Sequence, residues 1–306
     1  MTSNAPMNPD QLPALPFDSW KDTLATLHMW TQVVGKVRLK LCPLVNHFWN
    51  VTFYLTARGM TTSAMPFPGA IDNATVEVHF DFIAHQLLVE SSEGHAVALP
   101  LKAESVAEFY RRVMAALAEL GAPVKIWTTP CEISDPTPFE KDQIHASYDP
   151  EAVHKFWRIL VWVDQVFKEF RAGFLGKASP VHFFWGSFDL AVSRFSGRKA
   201  PERPGADAIT REAYSHEVSS AGFWPGGGDI KGPAFYSYAA PEPTGFAERK
   251  VRPAAAFYHP QLKEFILMYD DVRTATDPKT ALLEFLQSTY EAAAEFGNWD
   301  RKNLER

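Results

Sequence analysis

Val106-Ala107-Glu108-Phe109-Tyr110-Arg111-Arg112-Val113-Met114-Ala115-Ala116-Leu117-Ala118-Glu119-Leu120-Gly121 is the stretch from which the fold is read. Val106, Phe109, Val113, Leu117 and Leu120 recur at helical spacing and make one apolar face. Ser105 with Glu108 three residues on is a capping box, and Gly121 supplies the stop. The same design returns near the C-terminus. There Leu282, Phe285, Thr289, Ala292 and Phe296 form the face, Asp277-Pro278 opens the helix and Gly297 closes it. An offset of 176 carries Glu108 to Glu284, Phe109 to Phe285, Ala116 to Ala292, Glu119 to Glu295 and Gly121 to Gly297.

Upstream blocks follow in the same order. Phe82, Gln86 and Leu87 fall on Phe257, Gln261 and Leu262 at an offset of 175. His47-Phe48, Phe53 and Leu55 fall on His182-Phe183, Phe188 and Leu190 at 135, and Gln32-Val33 and Arg38 on Gln165-Val166 and Arg171 at 133. Four ordered blocks lead us to expect an internally duplicated α+β protein. Each copy reads helix, antiparallel strands, helix, with the helices on one face of the sheet. In the first copy the segments are Ser19–Val37, Val51–Ala57, Thr75–Phe82, Gln86–Glu90, Ala96–Leu99 and Ser105–Leu120. In the second they are Pro150–Gly173, Val181–Ser193, Ala254–Tyr258, Glu264–Tyr269 and Pro278–Phe296. The organisation expected is an N-terminal extension 1–17, a first repeat 18–130, a connector 131–148 and a second repeat 149–306. Growth of the offset from 135 to 175 places an insert at about 195–253, whose aromatic residues predict an ordered cap over the second repeat.

With 306 residues, 46% apolar and 22% charged, the chain is long enough for a large core and too apolar for disorder. A net charge of -6 argues against a phosphate-backbone binder, so nucleic acid is not an expected partner. Met1–Leu15 has three prolines and no apolar run of a signal peptide, and no stretch approaches a membrane span, so a cytoplasmic protein is the default expectation. Cys42 and Cys131 are far apart and read as buried structural thiols.

Nucleotide and nucleophile motifs are missing. The glycine run Trp224–Asp229 is followed by Pro233, which bars the helix a phosphate loop opens; it reads as a turn. Ser196 and Lys199 have SxxK spacing in a Pro/Arg loop, where no helix brings the lysine under the serine. His182, His216 and Glu217 are candidate acids or bases, with His79 and Asp81 as a second pair. None has metal-ligand spacing, so no metal ligand is assigned and no cofactor is named. In Val181–Ser193, Phe188, Leu190 and Val192 alternate with Ser187, Asp189, Ala191 and Ser193, giving a core face and a small polar face. Asp189 is the central carboxylate, with Arg194 as its expected partner.

The motifs Arg58-Gly59-Met60-Thr61-Thr62-Ser63 with Met65-Pro66, Phe80-Asp81-Phe82, His182–Asp189 with Arg194–Arg198, Gly222–Gly226, and Tyr236-Ser237-Tyr238 with Pro241-Glu242-Pro243 are similar to one family. It is a family of mostly bacterial proteins catalogued as a domain of unknown function. The resemblance spans nearly the whole chain and implies one architecture for the matched segments.

The function expected from these residues is binding of a small polar or anionic ligand, with or without transforming it. The ligand would lie in a cleft between strand 181–193 and the insert, held by Arg194 and Arg198 and flanked by Trp224, Tyr236 and Tyr238. Asp189, His182, His216 or Glu217 would act as acid or base. One rival is an interaction module whose aromatic insert forms a partner or homo-oligomer surface. Another is a metal-dependent hydrolase built on His182 and His216.

Overall fold

The computed structural model describes residues 12–67, 73–134 and 136–306. Most of the N-terminal extension and of Met1–Leu15, and Asp135 of the connector, lie outside them. The first half runs α1 (Phe17–Leu41), a 3-10 segment Asn46–Val51, β1 (Tyr54–Leu55), β2 (Gly59–Thr61), β3 (Met65–Pro66), β4 (Thr75–Asp81), β5 (Gln86–Ser91), β6 (Ala96–Pro100) and α2 (Val106–Glu119). The second runs α3 (Pro150–Ala172), β7 (His182–Phe184), β8 (Asp189–Lys199), α4 (Ala208–Ala213), β9 (His216–Trp224), β10 (Ala234–Ala240), β11 (Phe257–His259), β12 (Glu264–Met268), α5 (Tyr269–Arg273), α6 (Pro278–Phe296) and α7 (Arg301–Leu304). No helix among the described residues is long and apolar enough to cross a membrane.

The helix ends follow from their capping residues. Ser105 Oγ accepts from the Glu108 amide at 3.2 Å, and Gly121 takes the left-handed φ of 74° beyond α2. Asp149 caps α3 through the amides of Glu151 and Ala152, and Asp277 caps α6 through that of Thr280. In α1 the apolar residues are not confined to one stripe, and most of the helix from Trp20 to Arg38 is buried. It is therefore a central helix, packed on both α2 and α3. Trp30 of α1 is fully buried and stacks on Phe109 at 4.6 Å and on Tyr148 at 5.4 Å.

Both sheets are antiparallel. The first has the order β1-β2-β4-β5-β6 with β3 beside β4; the second has the order β11-β12-β10-β9-β8-β7. Their edges meet at Phe53 and Phe183, which exchange two backbone hydrogen bonds of 2.9 Å. One apolar core runs through both halves, taking in Trp30, Phe80, Phe109, Phe156, Leu190, Phe223 and Phe285. Each such side chain contributes ~1.5–3 kcal/mol by leaving water.

Both halves run helix, antiparallel strands, helix, but the matched blocks do not all fall on like structure. His182-Phe183 lie in β7, whereas His47-Phe48 sit in the 3-10 segment at φ of 59° and 58°. Val181–Ser193 is not one strand: Trp185–Phe188 turns the chain into a β7–β8 hairpin. The larger correction concerns the insert. Residues 195–253 do not cap the second repeat; they supply the end of β8, α4 and the two central strands β9 and β10. β9 is buried without interruption from Val218 to Phe223, as a central strand covered on both faces should be, and Gly226, Gly227 and Gly228, all at positive φ, turn β9 into β10.

Candidate functional site

Strand register sorts the second sheet into two faces. Leu190, Phe223, Phe235 and Leu267 stand abreast in the core. One residue along, Ala191, Gly222, Tyr236 and Ile266 stand abreast on the opposite face. By the same alternation Asp189, Ser193, Ser220, Tyr238 and Glu264 share that second face. It is the small polar face foreseen for Val181–Ser193, widened sideways by β9 and β10 rather than roofed by them.

Asp189 is its organising residue and is buried. Tyr236 OH donates to Asp189 Oδ2, and Ser187 Oγ donates to Oδ1. Asp189 is on β8 and Tyr236 on β10, two strand spacings or about 10 Å apart along the sheet. The tyrosine spans that distance by lying over Gly222 of β9, where a Cβ would stand 2.3 Å from its ring. Tyr238 stacks beside Tyr236 at 6.1 Å, and its hydroxyl meets that of Tyr214 at 3.2 Å. The guanidinium of Arg203 sits 4.3 Å from the Tyr214 ring centre, and Ser193 and Ser220 share a hydrogen bond of 2.9 Å.

Carboxyls here are pushed toward their neutral forms. Burial raises Asp189 against the opposing hydrogen bonds of Ser187 and Tyr236. Burial, then the charge of Asp189, raises Glu132 and lifts Glu264 to about 7. Burial and Asp189 together hold Tyr236 well above an ordinary phenol, and burial with Tyr214 does the same for Tyr238. Glu264 stands at the rim of a cleft of about 350 Å³ whose other walls include Arg203, Tyr214, Tyr238, Glu242 and Lys263. A wider hollow of about 760 Å³ beside Gly245 and Phe296 holds Arg249, which is already paired with Glu295 at 2.8 Å.

Glu264 makes stability fall as pH rises. Its folded-state value of about 7 lies above the ordinary 4.5, so between those values the unfolded chain has released a proton that the folded chain retains. The contribution is full below about pH 4.5 and is lost by about pH 7. After discounting for partial exposure it amounts to ~2 kcal/mol. Guanidinium unfolding of wild type and Glu264→Gln at pH 3.5 and pH 8, about one unit outside each limit, should show the wild type losing that much more. Equal losses would refute the assignment.

The match to a family model runs over residues 12–306, nearly the entire chain. The chain belongs to the family of unknown function DUF5996. Comparison with curated proteins and with solved structures gave no match. DUF5996 membership names no activity, so the chemistry rests on the residues themselves.

Of the residues singled out in the sequence, Asp189, Tyr236 and Tyr238 come together. Arg194 does not join them. Five positions from Asp189, it points to the other face, where it is buried with its guanidinium 3.5 Å from the Phe170 ring centre and 4.4 Å from that of Tyr290. Its Nη2 donates to the Phe170 carbonyl at the end of α3. Arg198 is exposed and structural, pairing with Glu217 at 2.7 Å and donating to Asn298 O at 2.9 Å beyond α6. Glu217 is thereby occupied, and it also accepts from Ser196 Oγ at 2.8 Å, which removes Ser196 from SxxK chemistry. Trp224, two residues beyond Gly222, lies on the same face as Tyr236 and packs in one apolar cluster with it, Ile230 and Met268. His216 contacts His47 edge-on at 5.6 Å, while His182 lies beside Trp49 and Tyr54. No group of three or more metal-ligand side chains converges among the described residues. His79 bonds Thr56, and Asp81 pairs with Arg58 at 2.6 Å and caps the following turn. The cysteines are partly rather than fully buried. Phe223 and Phe235, from the supposed surface insert, are fully buried.

Sequence reasoning missed Gly222, Glu132 and Glu264. The one available signal was the alternation Gly222/Trp224 and Tyr236/Tyr238, which marks paired strands with a tyrosine opposite a glycine.

Proposed function

We propose that the chain binds a small polar molecule in the cleft on the open face of the second sheet. Glu264 serves as proton donor or acceptor, and Tyr214 and Tyr238 form walls. The observation that carries this reading is Glu264 itself, a half-buried carboxyl titrating near neutrality at the rim of a 350 Å³ cleft. A group of that kind both gives and takes a proton at ordinary pH, the property general acid–base chemistry needs. Arg203 and Lys263 on the same walls suit a ligand that also carries negative charge. Asp189 acts behind the surface as a positioning residue: it fixes Tyr236, against which Tyr238 stacks.

Native mass spectrometry of the gently purified protein, set against its denatured mass, tests the proposal. The expected result is a retained small molecule that Tyr238→Ala loses and Glu264→Gln holds more weakly. A wild-type protein that carries no adduct, and whose melting temperature no small carboxylate or phosphate ester shifts, would overturn it.

A further inference from the structure

Where the two sheets meet, hydrogen-bond donors are buried without acceptors. Arg38 of α1 and His182 of β7 are only 7% and 1% exposed. Nε and Nη1 of Arg38 and Nδ1 of His182 meet no hydrogen-bond partner. Both residues border the same aromatic ring: the Arg38 guanidinium lies 5.9 Å from the Tyr54 ring centre, and the His182 ring 5.4 Å from it. Tyr54 OH approaches His182 Nε2 at 3.4 Å. With that hydroxyl donating to Nε2, the neutral ring carries its proton on Nδ1, a further donor without an acceptor. Arg171, whose Nε donates to Ser179 O at 2.6 Å, adds positive potential at His182.

A buried guanidinium is costly to leave unpaired, and proteins ordinarily match it with a carboxylate. Here the chain supplies none to Arg38 among the described residues. We infer that the junction of the two sheets holds a small oxyanion, bound by Arg38 and His182 beside Tyr54. The ligand must be compact, because Trp49 and Phe184 also edge the His182 ring, at 5.6 and 5.8 Å. It needs several acceptor oxygens, because the donors come from two side chains. Phosphate, sulfate and a small carboxylate share this chemistry. The site is separate from the Glu264 cleft, so either stands if the other falls.

Calorimetric titration of the full chain with inorganic phosphate, sulfate and acetate at fixed ionic strength distinguishes these sources. The expected result is saturable one-to-one binding of at least one of them. Arg38→Met should weaken it by about 10-fold or more, the loss expected for charge-assisted hydrogen bonds, whereas Lys40→Gln, on the exposed side of the same turn, should keep it. Should Arg38→Met not fold, the His182 ring resonances of the wild type report instead, shifting on saturation with the anion that binds. Absence of saturable heat with all three anions, together with unmoved His182 resonances, overturns the inference. So does equal binding by Arg38→Met.

Discussion

Gly222→Ala is expected to lower the unfolding free energy by about 3 kcal/mol and to dismantle the polar face of the second sheet. The added methyl falls 2.3 Å from the Tyr236 ring, which cannot simply rise, because its hydroxyl is tied to Asp189 and its face to Tyr238. Overpacking of this kind costs ~1–3 kcal/mol. Displacing the tyrosine then leaves a buried carboxyl short of a donor, for ~1–3 kcal/mol more. The offsetting gain from restricting the unfolded chain is under ~1 kcal/mol. A double-mutant cycle isolates the cause. In a Tyr236→Ala background the ring is gone, and Gly222→Ala should then cost less than ~1 kcal/mol. Guanidinium unfolding of the four proteins provides the check; additive losses would show that the contact is not responsible.

The second large effect concerns Arg194, and it separates volume from charge. Arg194→Ala should destabilise by about 4 kcal/mol, since it empties a space bounded by Phe170, Phe174 and Tyr290 and removes the donor to the last turn of α3. Arg194→Met keeps most of the volume and should cost under ~1.5 kcal/mol, because the buried charge has already surrendered its hydration. Burial lowers this guanidinium to about 10, with Tyr290 and Glu305 pulling the other way. Neither variant should alter ligand retention in the cleft, since Arg194 faces away from it. Loss of ligand by a folded Arg194→Met protein would return Arg194 to the site and contradict the face assignment.

These two positions show where the sequence was informative. The long helices were legible because caps and apolar stripes are local properties: Ser105, Asp149 and Asp277 cap as their identities require. Strand β4 was legible through the alternation of Val76, Val78 and Phe80 with Glu77, His79 and Asp81. The β9 and β10 strands were not, since Ser219-Ser220-Ala221-Gly222 and Ala234–Ala240 are built from small residues and tyrosines that read as a loop until their partners are known. Asp189 was found because its own strand alternates. Its partnership with Arg194 was excluded by parity alone: an odd separation along a strand puts two side chains on opposite faces. Glu264 had no local signal. Its proton affinity comes from burial and from Asp189, three strands across the sheet order, and so belongs to the tertiary structure.

Phe53 and Phe183, finally, do more than abut two sheets. Each sheet ends here in a very short strand, Tyr54–Leu55 on one side and His182–Phe184 on the other. An isolated half would offer that rim of unmet amides and carbonyls to any passing chain, the usual template for sticking and strand exchange. Here each rim is the other's partner, and the protection is mutual. Among the described strands, β6 and β11 close the far ends, and β3 is paired on one side only. The seam thus makes each half the guard of the other against self-association.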